Sequence, residues 1–513
     1  MRARPLATGI ALLLLGGCTL GPDFAPPRWA SPVSWFSGRR MPVPSTPVAA
    51  PIDPEWWAVF GDPKLTALER QVAESNLDVR AAGIRIAESR AQLRITAASL
   101  YPSLNANASY EREKPSNEGI FSAFGSSFGG AASGATQANG AFGNTAGGAQ
   151  TPITFGAINL FQYGFDASWE PDLWGRVRRS IESARATAEA SSDARRAALL
   201  SALAEVARDY IDLRGTQEQL RIARENLGTA RAGLALTRQR AAAGLTADLD
   251  VANASAQVST VAAQIPSLQQ REQEDINALS LLLGRPPNAL AGELAVARPV
   301  PPVPARVPVG FPSELARRRP DIRQAEAQLH AATADVGVAV ASFYPQVTLS
   351  ASFGFQALQF GNLFRGDARQ YAAGPGITLP IFQGGQLRGT LALRQAQQME
   401  AAVNYQKTIL TAWHDVDNAL TAYVKEQQRR AALIRAVEQN RRALALARDR
   451  YRQGMADFLS VLTTEQALLS TEQALASSTT TIATNLVALY KALGGGWENA
   501  YPTAQPDRSR QRL

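Results

Sequence analysis

The stretch Ala98-Ser99-Leu100-Tyr101-Pro102 returns in the second half of the chain as Ala341-Ser342-Phe343-Tyr344-Pro345, 243 residues later (101 to 344). Upstream of it, Asn76-Leu77-Asp78-Val79-Arg80 returns at the same offset as Arg319-Pro320-Asp321-Ile322-Arg323 (78 to 321). A shared offset for two separate stretches indicates an internal duplication of the chain. An internal repeat must be accommodated before any other feature of the fold is assigned.

Downstream of these stretches the repeat continues at a shorter offset. Arg240 to Gly244 matches Arg450 to Gly454, and Leu283-Gly284 matches Leu493-Gly494, in both cases 210 residues later. The two copies therefore agree except for one segment, which is longer in the first copy by the difference between the two offsets. This insertion lies within residues 114–157, a Gly-, Ala- and Ser-rich stretch that predicts a flexible loop outside the cell.

Each copy is predicted to contain a helical stretch, two strands, a very long helix and a shorter return helix. Apolar residues recur at helical spacing in the first stretch, as in Leu65, Leu68 and Val72. The long helices contain no proline, would each be about 100 Å long, and end at Gly244 and Gly454. The predicted segments are a signal peptide over 1–17, an acylated linker and equatorial segment over 18–63, repeat 1 over 64–283, an equatorial linker over 284–311, repeat 2 over 312–493 and a tail over 494–513. Repeat 1 is predicted to contain a helix, strands at about 101–113 and 158–171, a long helix at about 174–243 and a return helix at about 246–283. Repeat 2 is predicted to contain a helix, strands at about 344–357 and 370–380, a long helix at about 384–453 and a return helix at about 456–493.

The four strands alternate apolar and polar residues, as Phe161, Tyr163 and Phe165 do with the polar residues between them. A tilted membrane strand needs about ten residues with this pattern, although a half-buried soluble sheet shows it as well. Four strands cannot close a sheet, and lipid does not tolerate an open strand edge. We therefore expect a mainly α-helical chain with a membrane β-barrel that several copies share. Three copies would give 12 strands, and their long and return helices would likewise give a 12-helix tube.

The first residues form an address for export. Arg2 and Arg4 precede an apolar stretch over 6–17 that is too short for a permanent membrane helix. It ends at Cys18, the only Cys of the chain, which we predict is lipidated with diacylglycerol and an N-acyl chain (palmitate). An ordinary signal peptide with a chance Cys is the alternative. Thr19 rather than Asp after the Cys favours the outer membrane of a Gram-negative bacterium, with the protein extending into the periplasm.

Composition argues against several other classes of protein. The chain has 513 residues, a net charge of +8 and a pI of about 9.8, but its basic residues alternate with acidic ones instead of forming a nucleic-acid-binding face. It has only two His residues, too few for a zinc site, so we expect no metal and no cofactor beyond the lipid. Nothing resembles a nucleophile–base pair or a phosphate-binding loop, so the sequence does not predict an enzyme.

These features together resemble the TolC-like outer-membrane factors, in their OprM/NodT-type lipoprotein branch of tripartite efflux systems. The resemblance covers nearly the whole mature chain. It is carried by the duplication and by four kinds of motif: Cys18 to Phe24, Trp56-Trp57 with Phe60 to Pro63, the two Tyr-Pro pairs at 101 and 344, and the stretches Gly244 to Val251 and Tyr451 to Gly454. It implies a homotrimer that forms one 12-strand outer-membrane β-barrel, continued by a 12-helix periplasmic α-barrel with an equatorial belt. It also implies coupling to a periplasmic adaptor (membrane fusion) protein and to an inner-membrane pump, most often a proton-driven one of the RND type. Its function would be to pass small molecules such as drugs to the exterior.

The resemblance also implies a gate at the periplasmic tips of the helices. Asp250 would accept hydrogen bonds from Tyr451 and Arg452, and Leu459 would form an apolar constriction. Ser460 and Thr463 stand where family members commonly have Asp, which predicts weaker block by di- and trivalent cations. The residues expected to contact the adaptor are Gly244, Leu245, Thr246, Gly454, Met455 and Ala456. Simpler interpretations are helix capping at the two Gly residues, a surface charge at Asp250 and ordinary packing at Leu459.

Two other functions remain open from the sequence. The chain could be the exit duct of a type I protein-secretion system, although the lipid anchor favours efflux. It could instead be a structural or adhesive lipoprotein whose strands form a soluble sheet.

Overall fold

A computed structural model of the chain describes residues 19–27, 35, 43–114 and 157–501. The predicted signal peptide, the lipidation site Cys18, most of the inserted loop and the end of the tail lie outside these residues. In chain order the elements are β1 (Thr46–Val48), α1 (Pro63–Ser75), α2 (Leu77–Ala98), β2 (Ser103–Glu113), β3 (Ile158–Trp169), α3 (Arg176–Ala242), α4 (Asp248–Leu282), α5 (Ala291–Leu294), β4 (Arg306–Pro308), α6 (Leu315–Arg318), α7 (Pro320–Ala341), β5 (Gln346–Ala357), β6 (Arg369–Thr378), α8 (Gln386–Arg452) and α9 (Phe458–Leu493), with short 3-10 turns at Trp56–Phe60, Pro312–Glu314, Phe360–Asn362 and Gly366–Ala368. The four long strands and the long and return helices lie within two residues of the predicted bounds.

A four-stranded antiparallel sheet dominates one of the two compact units, which comprises the described residues of 1–21, 94–181 and 337–391. Its strand order is β2-β3-β5-β6, so β2 and β6 are the edges. Ser103 pairs with Ser168 in the first copy, and their repeat counterparts, Gln346 and Thr378, pair in the second. The duplication therefore extends to the register of the strands.

The two faces of the sheet differ as the alternation predicts. Phe165 lies opposite Phe353, and the rings of Tyr163 and Phe355 stack with centroids 5.1 Å apart. On the other face, the amide of Asn107 donates to the Asp166 carboxylate at 2.7 Å. Because successive side chains of a strand point to opposite faces, this register separates an aromatic face from a polar one.

The helical stretch predicted at the start of repeat 1 consists of two helices, since Asn76 divides it into α1 and α2. The backbone of Asn76 is extended, and its side-chain oxygen accepts the N–H groups of Asp78 and Val79 at 3.0 Å each. Its amide nitrogen donates to the Leu282 carbonyl at 2.9 Å. Asn and Asp side chains offer the backbone such alternatives to helix, so the break is local in origin. In the second copy Arg319, extended before Pro320, divides α6 from α7.

The second compact unit comprises the described residues of 22–93, 182–336 and 392–513 and contains the main apolar core. Trp56, Phe60, Leu65 and Tyr490 are fully buried in this core, together with the middle of α3. The linker before the first repeat and the linker between the repeats both lie against the long helices here. Parallel pairing joins β1 to β4, which brings residues 46–48 beside residues 306–308.

Two glutamines hold these linkers in equivalent ways. Gln427 of α8 accepts the N–H of Ser45 at 2.9 Å and donates to its carbonyl at 3.1 Å. Gln217 of α3, its counterpart in the first repeat, donates to the carbonyl of Leu294 at 2.9 Å. Both are buried, and buried polar groups must find partners. The duplicated long helices therefore anchor two different linkers through one repeated position.

Candidate functional site

Both long helices end in the same tight turn, at Gly244 and at Gly454. In the first, the N–H of Leu245 donates to the Arg240 carbonyl at 2.8 Å, and in the second the N–H of Met455 donates to the Arg450 carbonyl at 2.9 Å. The glycines have φ of +70° and +75°, a region that residues with a Cβ rarely adopt. This pattern of bonds around a left-handed Gly terminates the helix and satisfies its last carbonyls.

The return helices begin differently in the two copies. Asp457 caps α9, since its carboxylate accepts the N–H of Ser460 at 3.0 Å and the Ser460 hydroxyl at 2.6 Å. The hydrogen bond from the Ser460 hydroxyl, with that from its N–H, lowers the pKa of Asp457 from its ordinary value. At the start of α4 the N-cap residue is Ala247, which has no side chain able to cap. Instead the hydroxyl of Thr246 donates to the Asp250 carboxylate.

The predicted bonds from Tyr451 and Arg452 to Asp250 are not formed within the chain. Asp250 is engaged by Thr246, four residues earlier, and Arg452 lies near Asp449 at 3.4 Å. Tyr451 is 3% exposed, and within the described residues its hydroxyl has no hydrogen-bond partner. The reason is geometric, because the Tyr451 ring is buried in an apolar cluster and Thr246 already occupies the Asp250 carboxylate.

An arginine that is not among the predicted site residues links the two helical hairpins, which consist of α3 with α4 and of α8 with α9. The Arg240 guanidinium, through Nη1, donates to the backbone carbonyls of Tyr451 at 2.7 Å and Arg452 at 3.2 Å. It also lies 4.6 Å from the centre of the Tyr451 ring. These carbonyls belong to the last turn of α8, where the helix dipole favours a positive charge. We call this set of contacts the Arg240 clamp.

The apolar cluster beside the clamp holds the hairpins together. Tyr451 meets Phe458 edge to face with ring centroids 5.6 Å apart, and Leu234, Ala254 and Val461 are buried with them. Aromatic pairs of this kind add to the stabilisation by burial alone. The cluster therefore joins α3, α4, α8 and α9 next to the tips.

Polar pairs extend this contact along the return helices. Gln466 of α9 donates to Gln257 of α4 at 3.1 Å, and Gln473 donates to Gln264 at 2.8 Å, one heptad further along. Glu465 of α9 is buried 3.6 Å from Arg448, and burial raises the pKa of Glu465 although Arg448 acts against that rise. The two return helices are thus matched in register by side chains one heptad apart.

The residues predicted to contact an adaptor or to form a constriction are on the outside of the single chain. Leu245, Met455 and Leu459 are 65%, 66% and 57% exposed, and Ser460 and Thr463 are exposed as well. Leu459 is therefore not a packing residue between the helices of its own chain. The Thr463 hydroxyl donates to the Leu459 carbonyl at 3.0 Å.

Two further features bear on the chemistry of the chain. Among the described residues there is no group of three or more His, Cys, Asp or Glu side chains that could hold a metal ion. Within the same residues, the helices include none that is long and apolar enough to cross a membrane.

Comparison with known proteins gives one consistent result. The family model for "Outer membrane efflux protein" matches residues 68–285 and 311–495, which are the two repeats. The chain is 33% identical over 502 residues to the pyoverdine export outer membrane protein OpmQ of Pseudomonas aeruginosa, covering 97% of this chain and 98% of that protein. It is 33% identical over 495 residues to the toluene efflux pump outer membrane protein TtgC of Pseudomonas putida, covering 96% and 95%. The solved structure of the outer-membrane channel OprN has a TM-score of 0.81 at 33% identity, covering 94% of this chain and 100% of that one.

Proposed function

The chain belongs to the outer membrane efflux protein family, and from that premise we propose how it assembles, what it carries and how it opens. It is the outer-membrane exit duct of a tripartite efflux pump, with an adaptor and an inner-membrane pump as its partners. It is a transport channel and not an enzyme, because its family and relatives are transport proteins. The predicted family, general fold and exit-duct function are thereby confirmed.

The duct is a homotrimer. Strands β2 and β6 end the sheet of the single chain, and every residue of both strands is exposed. An edge of this kind pairs with another strand or remains a template for aggregation. Three copies, with four strands each, close the sheet with twelve strands. The long and return helices, four from each copy, form the twelve-helix periplasmic part. The paired strands β1 and β4, with the linkers around them, form the equatorial belt.

Lipid on Cys18 anchors the duct in the outer membrane of a Gram-negative cell. The support is the sequence of the first 19 residues, which combines a short apolar segment, a Cys and a following Thr. Several acyl chains on one residue give stable membrane attachment where one would be marginal.

The gate is at the helix tips, and the Arg240 clamp is the observation that carries this proposal. It joins the end of the first long helix to the end of the second, so the hairpins cannot separate unless its bonds to Tyr451 and Arg452 break. The exposed apolar tips at Leu245 and Met455 offer the adaptor a surface from which to pull the hairpins apart. Leu459 of three copies forms the apolar constriction behind them.

The cargo consists of small molecules such as drugs, driven by a proton-coupled RND-type pump. Relatives aligned over nearly their full length are named for export of pyoverdine and efflux of toluene, both of them small molecules. A duct for protein secretion is the alternative, and no relative described above is named for it.

A transport assay separates these cargoes. The chain would be expressed with an RND-type pump and its adaptor in cells deleted for their own exit ducts, and accumulation of ethidium would be followed by fluorescence. We expect lower accumulation only when all three components are present, and a return to high accumulation with the doubly charged tip variant Leu245→Asp/Met455→Asp. Restored export of a type I-secreted protein, without any effect on ethidium, would reverse the assignment.

A further inference from the structure

The second compact unit contains a cavity of about 480 Å³ between α3 and α7. The two helices are joined across it at two levels. At the first level the Arg323 guanidinium lies 3.3 Å from the Asp193 carboxylate, and at the second level Nε2 of His330 lies 2.9 Å from the Glu182 carboxylate. The ring of Phe24 stacks on that of His330, with centroids 4.5 Å apart, and lines the cavity at the second level. All the lining residues belong to this unit, so the cavity is complete within one chain.

Two arginines at the first level are held in fixed positions. Asp193 is 5% exposed, and its carboxylate accepts a hydrogen bond from Nη1 of Arg196 at 2.5 Å in addition to its contact with Arg323. The two guanidiniums lie 5.0 and 5.5 Å from the centre of the Trp497 ring. The indole is itself fixed, because its N–H donates to the Gly494 carbonyl at 2.9 Å. One carboxylate and one aromatic ring therefore orient both arginines before any ligand binds.

The same two arginines keep donors that nothing in the described residues uses. Both side chains line the cavity, and Nε and Nη2 of Arg196 and the two Nη atoms of Arg323 make no hydrogen bond within those residues. Asp193 supplies one negative charge against two positive charges, which leaves this level with a net positive charge. The planar guanidinium matches a carboxylate through two parallel hydrogen bonds. The first level is therefore suited to bind a carboxylate.

Two carboxylates line the cavity between the two levels. Glu189 of α3 and Glu326 of α7 both lie there, and within the described residues neither makes a hydrogen bond or an ion pair. Burial raises the pKa of Glu326, although the positive charge of Arg323 acts against that rise. A cation between the two carboxylates would favour their charged forms. This part of the cavity is therefore suited to bind an ammonium group.

The separation of the two charged parts limits the size of the ligand. Arg323 and Glu326 are three residues apart on α7, and Glu189 and Arg196 are seven residues apart on α3. At 1.5 Å per residue, the carboxylates lie about 5–10 Å from the guanidiniums along the helices. An extended peptide spans at most about 3.5 Å per residue, so two or three residues place a terminal ammonium and a terminal carboxylate at this separation. A free amino acid carries both groups on one carbon and would reach only one of the two parts.

We propose that this cavity binds a short peptide of two or three residues, with its terminal carboxylate on Arg196 and Arg323 and its terminal ammonium between Glu189 and Glu326. The volume of the cavity lies in the range of known small-molecule sites. The bound peptide also contacts Phe24, and so joins the start of the described chain to α3 and α7. The inference adds a ligand site to the proposed function and does not depend on it.

Isothermal titration calorimetry of the full-length protein in detergent, with dialanine as the probe, tests the site. Dialanine should bind. N-acetyl-dialanine, which lacks the ammonium, and alanyl-alanine amide, which lacks the carboxylate, should each bind at least about tenfold more weakly, because each loses hydrogen bonds between charged groups. The Glu326→Gln variant keeps the shape of the side chain and removes its charge. It should weaken binding of dialanine at least about tenfold and leave that of N-acetyl-dialanine unchanged, a difference that a damaged fold would not produce.

The matched control is Glu74→Gln, which removes an exposed carboxylate of α1 that does not line the cavity, and it should bind dialanine as the wild type does. Three results would overturn the proposal: equal binding of dialanine and either blocked form, unchanged binding of dialanine by Glu326→Gln, or no binding of dialanine at roughly 10 mM. Each of them leaves the exit-duct function standing, because accumulation of ethidium tests that function separately.

Discussion

Replacing Arg240 with alanine should weaken the closed tip of each copy by about 2 kcal/mol. The side chain makes two hydrogen bonds from a charged group, at 2.7 and 3.2 Å, to the carbonyls of Tyr451 and Arg452. Such bonds are worth about 1.5–3 kcal/mol, and the guanidinium over the Tyr451 ring adds about 0.5–1 kcal/mol. These energies are not additive and Arg240 is only half-buried, so we take a total near the lower end of the range for the two hydrogen bonds. A change of about 2 kcal/mol shifts the ratio of open to closed tips about 30-fold.

Single-channel recording in a planar bilayer measures this shift. The wild-type duct should pass small currents, and Arg240→Ala should raise the open probability and mean current. Arg240→Lys should lie between them, because a single ammonium cannot reproduce the planar guanidinium. Two matched controls should behave as wild type: Arg238→Ala, exposed on the same helix, and Tyr451→Phe, whose hydroxyl has no partner in the described residues.

The reasoning fails if Arg240→Ala conducts as wild type does, or if Arg238→Ala opens the duct as much. A duct opened by Tyr451→Phe would instead support the hypothesis that a hydrogen bond of the tyrosine hydroxyl holds the tips closed. A melting temperature measured for every variant shows whether a larger current comes from local release of the tips or from a destabilised fold.

Three further predictions concern buried charge, helix ends and cations. Burial raises the pKa of Glu69 well above its ordinary value, and within the described residues neither carboxylate oxygen has a partner. The contribution of protonated Glu69 to the free energy of unfolding is therefore complete below the unfolded pKa of about 4.3, and it is lost as pH rises through the folded pKa. The wild-type melting temperature should fall from acidic to neutral pH more steeply than that of Glu69→Gln. Equal slopes for the two proteins would contradict this. Gly454→Ala should cost about 1–2 kcal/mol at φ +75° and lower the melting temperature. Gly228→Ala, inside α3, should leave the melting temperature unchanged or raise it, because an added Cβ there meets nothing within 4 Å beyond the adjacent backbone of its own helix; a rise for both variants would count against the turn geometry. Ser460→Asp with Thr463→Asp should strengthen the block of current by Ca²⁺, which prefers carboxylate oxygens, and equally strong block of the wild type would refute the role of these positions.

The duplication explains why so much of the fold could be predicted from the sequence. Each element occurs twice, so its first and last residues can be read from both copies, as at Gly244 and Gly454. In the strands, the alternation of apolar and polar residues determines which side chains lie on each face of the sheet. The break at Asn76 was missed because the apolar periodicity continues across it. Its signal is a single side chain that caps α2 and bonds to Leu282, which is distant in sequence.

The site was harder to predict than the fold, because hydrogen-bond partners depend on differences of a few ångströms that a repeat pattern does not carry. Asp250 and Tyr451 lie beside the two turns, but the carboxylate bonds to its near neighbour Thr246 and the tyrosine is buried. A signal for Arg240 was present, since it is a basic residue in the last turn of a helix. Its partners, however, are backbone carbonyls of the other hairpin. Every residue has such a carbonyl, so the pattern of residue types does not identify which one accepts the bond.

The clamp also shows where the two copies have diverged. Arg240 and Arg450 are counterparts in the repeat, and the position after each holds Ala241 in the first copy and Tyr451 in the second. Only the second copy can therefore offer an aromatic ring to an arginine at this level of the helix. A gate built from two identical junctions would resist opening equally at both. The exchange of alanine for tyrosine makes the junction that Arg240 bridges within one chain different from its counterpart, so for the proposed gate we expect the two junctions to resist opening unequally.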